Sequence, residues 1–143
     1  GSETRTVVKV VGDIEATSDI YGGTIILGSG SSAESSSITS KSVTFSIPNN
    51  LPTVTADETA VNSCNAIEYT IFVTHSSGIQ SQKVLIMDNG TTAYSQEYAV
   101  MFSSSLLFSF STDINSGNVR LQATPQAGVT GSTIFKFIKT IIK

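Results

Sequence analysis

From residue 42 onward, apolar side chains fall on every second position. Ser42-Val43-Thr44-Phe45-Ser46-Ile47 alternates in this way, and Ala66 to Thr74 sets Ile67, Tyr69, Ile71 and Val73 on one side with Phe72 on the other. A period of two belongs to an extended strand with one face buried, because successive side chains point to opposite sides. Gln82 to Met87 is rich in β formers, and Thr91 to Tyr98, Leu106 to Ser111, Asn118 to Thr124 and Ser132 to Ile142 are further strand segments. Turn formers separate these runs: Pro48-Asn49-Asn50, His75-Ser76-Ser77-Gly78, Asp88-Asn89-Gly90 and Asp113-Ile114-Asn115-Ser116-Gly117. Asn89-Gly90 suits the two left-handed positions of a type I′ turn, which predicts a hairpin there. Ile134, Ile138, Ile141 and Ile142 would also line one helical face, but the Phe, Thr and Ile content of Ser132 to Ile142 favours a strand. About seven or eight short strands with regular turns predict an all-β fold, an antiparallel β-sandwich or jelly roll.

The amino-terminal part reads differently. Gly1-Ser2 reads as a cloning scar, which implies that the natural chain begins upstream. Thr4 to Val11, Ile14 to Thr17, Asp19-Ile20-Tyr21 and Thr24 to Leu27 are short β-like runs. Runs this short hold a sheet only with neighbours from the same chain or from other copies. Gly28 to Ser37, GSGSSAESSS, has the composition of a flexible linker. The expected organisation is residues 1–2 scar, 3–40 shaft-like β segment with its Gly/Ser-rich linker, and 41–143 sandwich head.

Composition narrows the function. Only 13% of residues are charged and the net charge is −3, while 23 Ser and 18 Thr make the 143-residue chain rich in hydroxyls. Eight basic residues, scattered, form no phosphate-binding face, so nucleic acid is not an expected partner. No apolar run approaches the ~18 residues of a membrane-spanning helix, so membrane insertion is not expected. Cys64 has no partner for an internal disulfide.

No catalytic or cofactor-binding pattern stands out. His75 is the single histidine and sits among serines in a turn. Asp57-Glu58 offers one side of an oxygen cage for calcium, without visible further ligands. Glu68 and Glu97 fall on strands where they could oppose each other, as glycoside hydrolysis requires. Asp88 and Asp113 are explained as turn acids that hydrogen-bond the backbone. Tyr94 and Tyr98 share one face of a strand, either a core face or an aromatic surface for a sugar.

Several stretches carry a resemblance. Gln82-Lys83-Val84-Leu85-Ile86-Met87-Asp88-Asn89-Gly90-Thr91-Thr92-Ala93-Tyr94 with Glu97-Tyr98 is preceded by Tyr69. It is followed by Asp113-Ile114-Asn115-Ser116-Gly117-Asn118-Val119-Arg120-Leu121, by Thr124-Pro125 and by Phe135-Lys136-Phe137-Ile138. In order and spacing, residues 66 to 142 resemble a module of virion structural proteins of tailed bacteriophages, the fibre-like proteins of marine myoviruses among them. Val11-Gly12-Asp13-Ile14-Glu15-Ala16-Thr17-Ser18-Asp19-Ile20-Tyr21-Gly22-Gly23-Thr24-Ile25 is similar to the Gly-Asp-Ile-x-Ala-Thr-x-Asp-Ile repeats of phage fibre shafts. Glu68 stands where the module has Lys, and Leu106-Leu107-Phe108 is more apolar than its usual Leu-Gly-Thr. The resemblance implies a non-enzymatic appendage module located on the virion. It implies a homotrimer as well, with other virion proteins and a host-surface glycan or protein as further partners. A purely structural virion component, such as a capsid decoration, neck or baseplate protein, is the alternative. That alternative makes no receptor contact; on the attachment reading the candidate surface-binding loops are those with His75, Ser76, Ser77, Asn115, Ser116 and Asn118, and the candidate aromatic contacts are Tyr94 and Tyr98.

Overall fold

A computed structural model describes residues 10–19, 24–27 and 36–143. Among them are nine strands and no helix: β1 (Thr24–Leu27), β2 (Ser36–Ile47), β3 (Val54–Ala60), β4 (Ala66–His75), β5 (Gly78–Asp88), β6 (Ala93–Phe102), β7 (Phe108–Asn115), β8 (Asn118–Pro125) and β9 (Gly131–Ile142). Two antiparallel sheets form, one of six strands in the order β1-β2-β9-β4-β5-β6 and one of three in the order β3-β8-β7. They pack as a sandwich. Three consecutive strands, β4, β5 and β6, lie side by side in one sheet, which excludes the alternation between sheets of a jelly roll.

The carboxy-terminal run is a central strand. β9 pairs with β2 on one side and β4 on the other, so it is laddered on both edges from Thr133 to Ile141. Its Thr133, Phe135 and Phe137 are buried while Lys136 and Ile138 are exposed, the division that period-two alternation demands. Phe135 is the centre of the core. Its ring meets Phe45, Phe108 and Phe110 edge to face, with centroids 5.6, 4.9 and 6.0 Å away. Phe108 and Phe110 belong to the three-stranded sheet, so this cluster joins the two layers. Edge-to-face aromatic pairs add to the burial of the rings themselves.

The structure departs from the sequence expectations at four places. β3 was not expected, because Val54–Ala60 breaks the alternation. A bulge between Thr55 and Asp57 turns Ala56 and Asp57 inward together. β2 begins at Ser36, so the last two residues of the Gly/Ser run and Ile38 to Ser40 belong to the six-stranded sheet. Ile14 to Thr17 is exposed and is not a strand, whereas Thr24–Leu27 is. Residues 4–9 of the first β-like run, Ile20-Tyr21 and Gly28 to Ser35 lie outside the described residues.

The fourth departure concerns turn chemistry. The β5–β6 hairpin forms, but through the four-residue loop 89–92, and Asn89 keeps an ordinary φ. Asp88 Oδ1 accepts from Gly90 N at 2.8 Å, and Asn89 Oδ1 accepts from Thr91 N and Thr92 N at 3.0 and 2.8 Å. Side chains thus capture the N–H groups that a two-residue turn would leave to the ladder. Gly90 suits the position because its φ of 90° is strained for a residue with a Cβ. The type I′ geometry occurs instead at Ser116-Gly117, with φ of 50° and 78°, between the paired Asn115 and Asn118.

Replacing Phe135 by Ala removes the ring that all three neighbours pack against. Phe135→Ala is expected to lower unfolding free energy by about 3–5 kcal/mol, measured by urea denaturation. A loss under ~1 kcal/mol would show that the layers are joined elsewhere.

Candidate functional site

The two groups of loop residues lie at opposite ends of the sandwich. His75 pairs with Thr133 near the start of β9. The Ser116-Gly117 turn touches Val61, and Asn65 meets Ile142 at the end of β9. Nine steps of strand at about 3.3 Å each separate the ends by roughly 30 Å. The structure therefore does not bring His75, Ser76 and Ser77 together with Asn115, Ser116 and Asn118.

At the first end, Ser76 and Ser77 are exposed and His75 is half-buried. His75 Nδ1 accepts from Ser77 N at 3.1 Å, with Ser77 Oγ 2.7 Å away. His75 Nε2 lies 2.7 Å from the Thr130 carbonyl, which only accepts. The imidazole is therefore the Nε2–H tautomer, a tie between the β4–β5 turn and the β8–β9 connection, rather than a solvated loop residue. Ser104 Oγ donates to Ser77 O at 3.0 Å and Ser103 Oγ accepts from Ile79 N at 3.0 Å, which adds the serines after β6 to the same lip. At the other end, Asn115 and Ser116 are exposed and Asn118 is half-buried.

Asp57 holds the strongest polar cluster. Its carboxylate, on the β3 bulge, accepts from Lys41 Nζ at 2.9 Å, Lys139 Nζ at 2.8 Å and Tyr69 Oη at 2.8 Å. Both oxygens are thus taken up by cationic or hydroxyl donors, so Asp57 is not half of a calcium cage. No group of three or more His, Cys, Asp or Glu among the described residues is placed to hold a metal. Burial alone would raise the Asp57 carboxyl. The hydrogen bond and charge of Lys139, with the bonds from Lys41 and Tyr69, outweigh that and hold it below the usual carboxylate range. Burial, and then the Asp57 charge beside it, push the Tyr69 phenol well above its ordinary value.

On the opposite flank sits a relay of amides that sequence reading missed. Gln80 is 1% exposed. Its Oε1 accepts from Leu107 N and Phe108 N at 2.8 and 3.0 Å, and its Nε2 donates to Phe108 O and Gln82 Oε1 at 2.8 and 2.7 Å. Gln82 Nε2 donates to Glu97 Oε2, which also accepts from Phe110 N at 3.0 Å. The relay satisfies backbone groups where the chain crosses from one sheet to the other. Its sequence signal was two Gln on the inward phase shared with Val84 and Ile86.

The carboxylates considered for glycoside chemistry do not face each other. Glu97 points inward to this relay. Glu68 is on the outer face, 3.1 Å from Lys83 and bonded to Tyr98 Oη at 2.6 Å. The Tyr98 bond and then Lys83 hold the Glu68 carboxyl below its ordinary value. Asp113 is no turn acid either: it pairs across the hairpin with Arg120 in a two-pronged contact at 2.7 and 2.6 Å.

Tyr94 and Tyr98 do share a face, the outer one, and are 47% and 37% exposed. Asn89 Nδ2 approaches Tyr94 Oη at 3.4 Å. Beside them lie Leu85 and Met87, and farther along the same face Phe72, Ile79, Met101 and Ile138. Shallow depressions of about 300 and 240 Å³ open around Phe72 on this surface.

No family model matches the chain, and no curated protein is similar to it. Among the solved structures that it is similar to are two phage tailspike proteins. The tailspike protein of Acinetobacter phage vB_ApiP_P1 matches with a TM-score of 0.50 and 19% identity, over 71% of this chain and 21% of that one. The tailspike protein of Acinetobacter baumannii phage AM24 matches with a TM-score of 0.46 and 11% identity, over 73% of this chain and 26% of that one. The chain thus spans about a fifth to a quarter of the length of these proteins. At this identity the likeness is one of fold.

The Asp57 tie gives a pH prediction. The folded carboxyl titrates below its reference value of 3.8. The stabilisation is therefore fully present above about pH 4 and fades as pH falls through the folded value. Asp57→Asn leaves two lysines without their anion and should cost about 3 kcal/mol at pH 7. The gap from the unsubstituted protein should narrow progressively as pH falls below about 4, read from urea midpoints. A gap constant across that range would mean that the tie contributes no charge.

Proposed function

We propose that this chain is a non-enzymatic module of a phage appendage, a fibre or tailspike on the virion, that assembles as a homotrimer and attaches to the host surface. The reading rests on the fold shared with a phage tailspike, together with the resemblance of residues 66 to 142 to a bacteriophage virion module. Residues 3–40 form the shaft-like segment and 41–143 the head, with β1 and the start of β2 extending the head's sheet. Other virion proteins adjoin the module; nucleic acid and membrane are not partners.

The loops carry host contact in this reading. His75, Ser76 and Ser77 with the neighbouring serines form one hydroxyl-lined lip, and Asn115, Ser116 and Asn118 a separate amide and hydroxyl tip. Both suit the hydrogen-bonding groups of a surface glycan or of a protein. Tyr94 and Tyr98 are an aromatic contact surface of the same appendage. The non-enzymatic assignment is supported by the His75 nitrogens being engaged in a turn, and by Glu68 and Glu97 lying on opposite faces of one sheet.

Labelled protein is expected to bind a subset of Gram-negative strains, Acinetobacter among those tested, and to be competed by their extracted surface polysaccharide or protein. Ser76→Trp and Ser116→Trp, each blocking one tip, should identify the tip in use by a tenfold or greater loss of binding. Binding to no strain, together with antibody labelling of the protein on intact capsids, would favour the purely structural virion role. Release of sugar from the polysaccharide would overturn the non-enzymatic assignment.

A further inference from the structure

Among the described residues nothing covers the outer face of the six-stranded sheet, and large apolar side chains stand out on it. Phe72, Ile79, Leu85, Met87, Met101 and Ile138 are between 39% and 64% exposed, and the two tyrosines adjoin them. Summed, and taking about 180 Å² for a large side chain, they leave roughly 700 Å² open, in two neighbouring groups, Phe72, Ile79, Met101 and Ile138, and Leu85, Met87 and Tyr94, with Thr70, Lys83 and Tyr98 between them. The largest apolar patch on a typical monomer is about 300–600 Å². A standard protein interface takes about 800 Å² from each partner, only a little over half of it apolar.

Charge points the same way. The chain as a whole is acidic, with a net charge of −3. On this face Glu68 is neutralised by Lys83, which leaves Lys136 as the unpaired charge there among the described residues. A surface nearly free of the molecule's net charge can meet itself without repulsion. The tyrosine hydroxyls are already turned to Glu68 and Asn89, so they demand no outside partner. The depressions around Phe72 are shallow and apolar, suited to side chains of an opposing sheet.

We infer that this face, across β9, β4, β5 and β6, seats a second copy of the chain, so that Tyr94 and Tyr98 contact a neighbouring subunit rather than a sugar. The inference rests on the assembly part of the proposed function and names its surface.

Light scattering coupled to size-exclusion chromatography, on the whole chain at tens of micromolar, tests it. The unsubstituted protein should elute as a multiple of its 15.0 kDa mass. Phe72→Asp with Met101→Asp, and separately Leu85→Asp with Met87→Asp, should shift it to the single-chain mass with a β-sheet spectrum and cooperative melting retained. Ala127→Asp, in an exposed loop off the face, should leave the multimer intact. Should the aspartates prevent folding, Phe72→Thr with Met101→Thr keeps strand-compatible residues and should weaken association at least tenfold. A single-chain mass for the unsubstituted protein, or a multimer indifferent to folded variants of the face, overturns the inference. A single chain that still binds bacteria sinks the interface and spares the attachment reading; a multimer dispersed by the face variants that binds no host does the reverse.

Discussion

Three strands cannot cover six. The small sheet, β3-β8-β7, lies over one face of the large one, and its width decides what is core and what is not. Phe135, on the central strand β9, meets aromatic rings from both layers because it lies beneath the middle of the cover. At each margin of the cover the layers must close, and they close with polar side chains. Asp57 of β3 reaches Lys41, Lys139 and Tyr69 on β2, β9 and β4. Gln80, Gln82 and Glu97 of β5 and β6 reach the backbone of β7 and the segment before it. These ties sit where water would otherwise meet unpaired peptide groups, and each is satisfied on both sides. Such contacts add modest net stability but make a shifted register costly, since a slip by one residue would bury a charge or an amide without its partner.

This division explains which parts of the fold were legible in the sequence. Where a strand has one face under the cover, its apolar residues alternate, and β4, β5, β8 and β9 could be read directly. β3 could not, because its bulge puts Ala56 and Asp57 inward in succession and breaks the alternation of a short strand. The parity of Tyr94 and Tyr98 placed them on one face. Which face was not readable, since every residue of β6 after Ala93 is exposed and the strand carries no inside-outside contrast. Asn89-Gly90 carried a strong local turn signal, yet Asp88, Asn89 and the approach of Asn62 impose a longer loop. Local propensity lost there to side-chain capture of the backbone.

The candidate site shows the same limits. Loop residues were identified as exposed hydroxyls and amides from composition, which needed no register. Their separation to two ends of the molecule depends on how β9 pairs with β4, a long-range fact that no local pattern encodes. Glu68 and Glu97 looked opposable because both fall on strands, but one position of parity sends them to opposite faces. The sequence hinted at the amide relay through two Gln on an apolar phase, a violation of patterning that a buried network explains.

The edge strand β6 supplies the last step. It is ten residues long and has no Lys, Arg or Pro to discourage pairing with another strand. Yet between the Ser81–Met101 and Lys83–Tyr98 pairs, one residue of β5 faces two of β6, and Ala99 takes a left-handed φ of 54°. That conformation costs a residue with a Cβ about 1–2 kcal/mol. A bulge bends its strand and interrupts the line of free N–H and C=O groups, so a strand from another chain could pair with only part of the edge. The bulge interrupts an edge open to further pairing, while the broad face beside it keeps its exposed apolar side chains. An assembly that is to stop at a fixed number of copies needs that combination: contact through a face of finite area, with the open-ended contact through an edge interrupted.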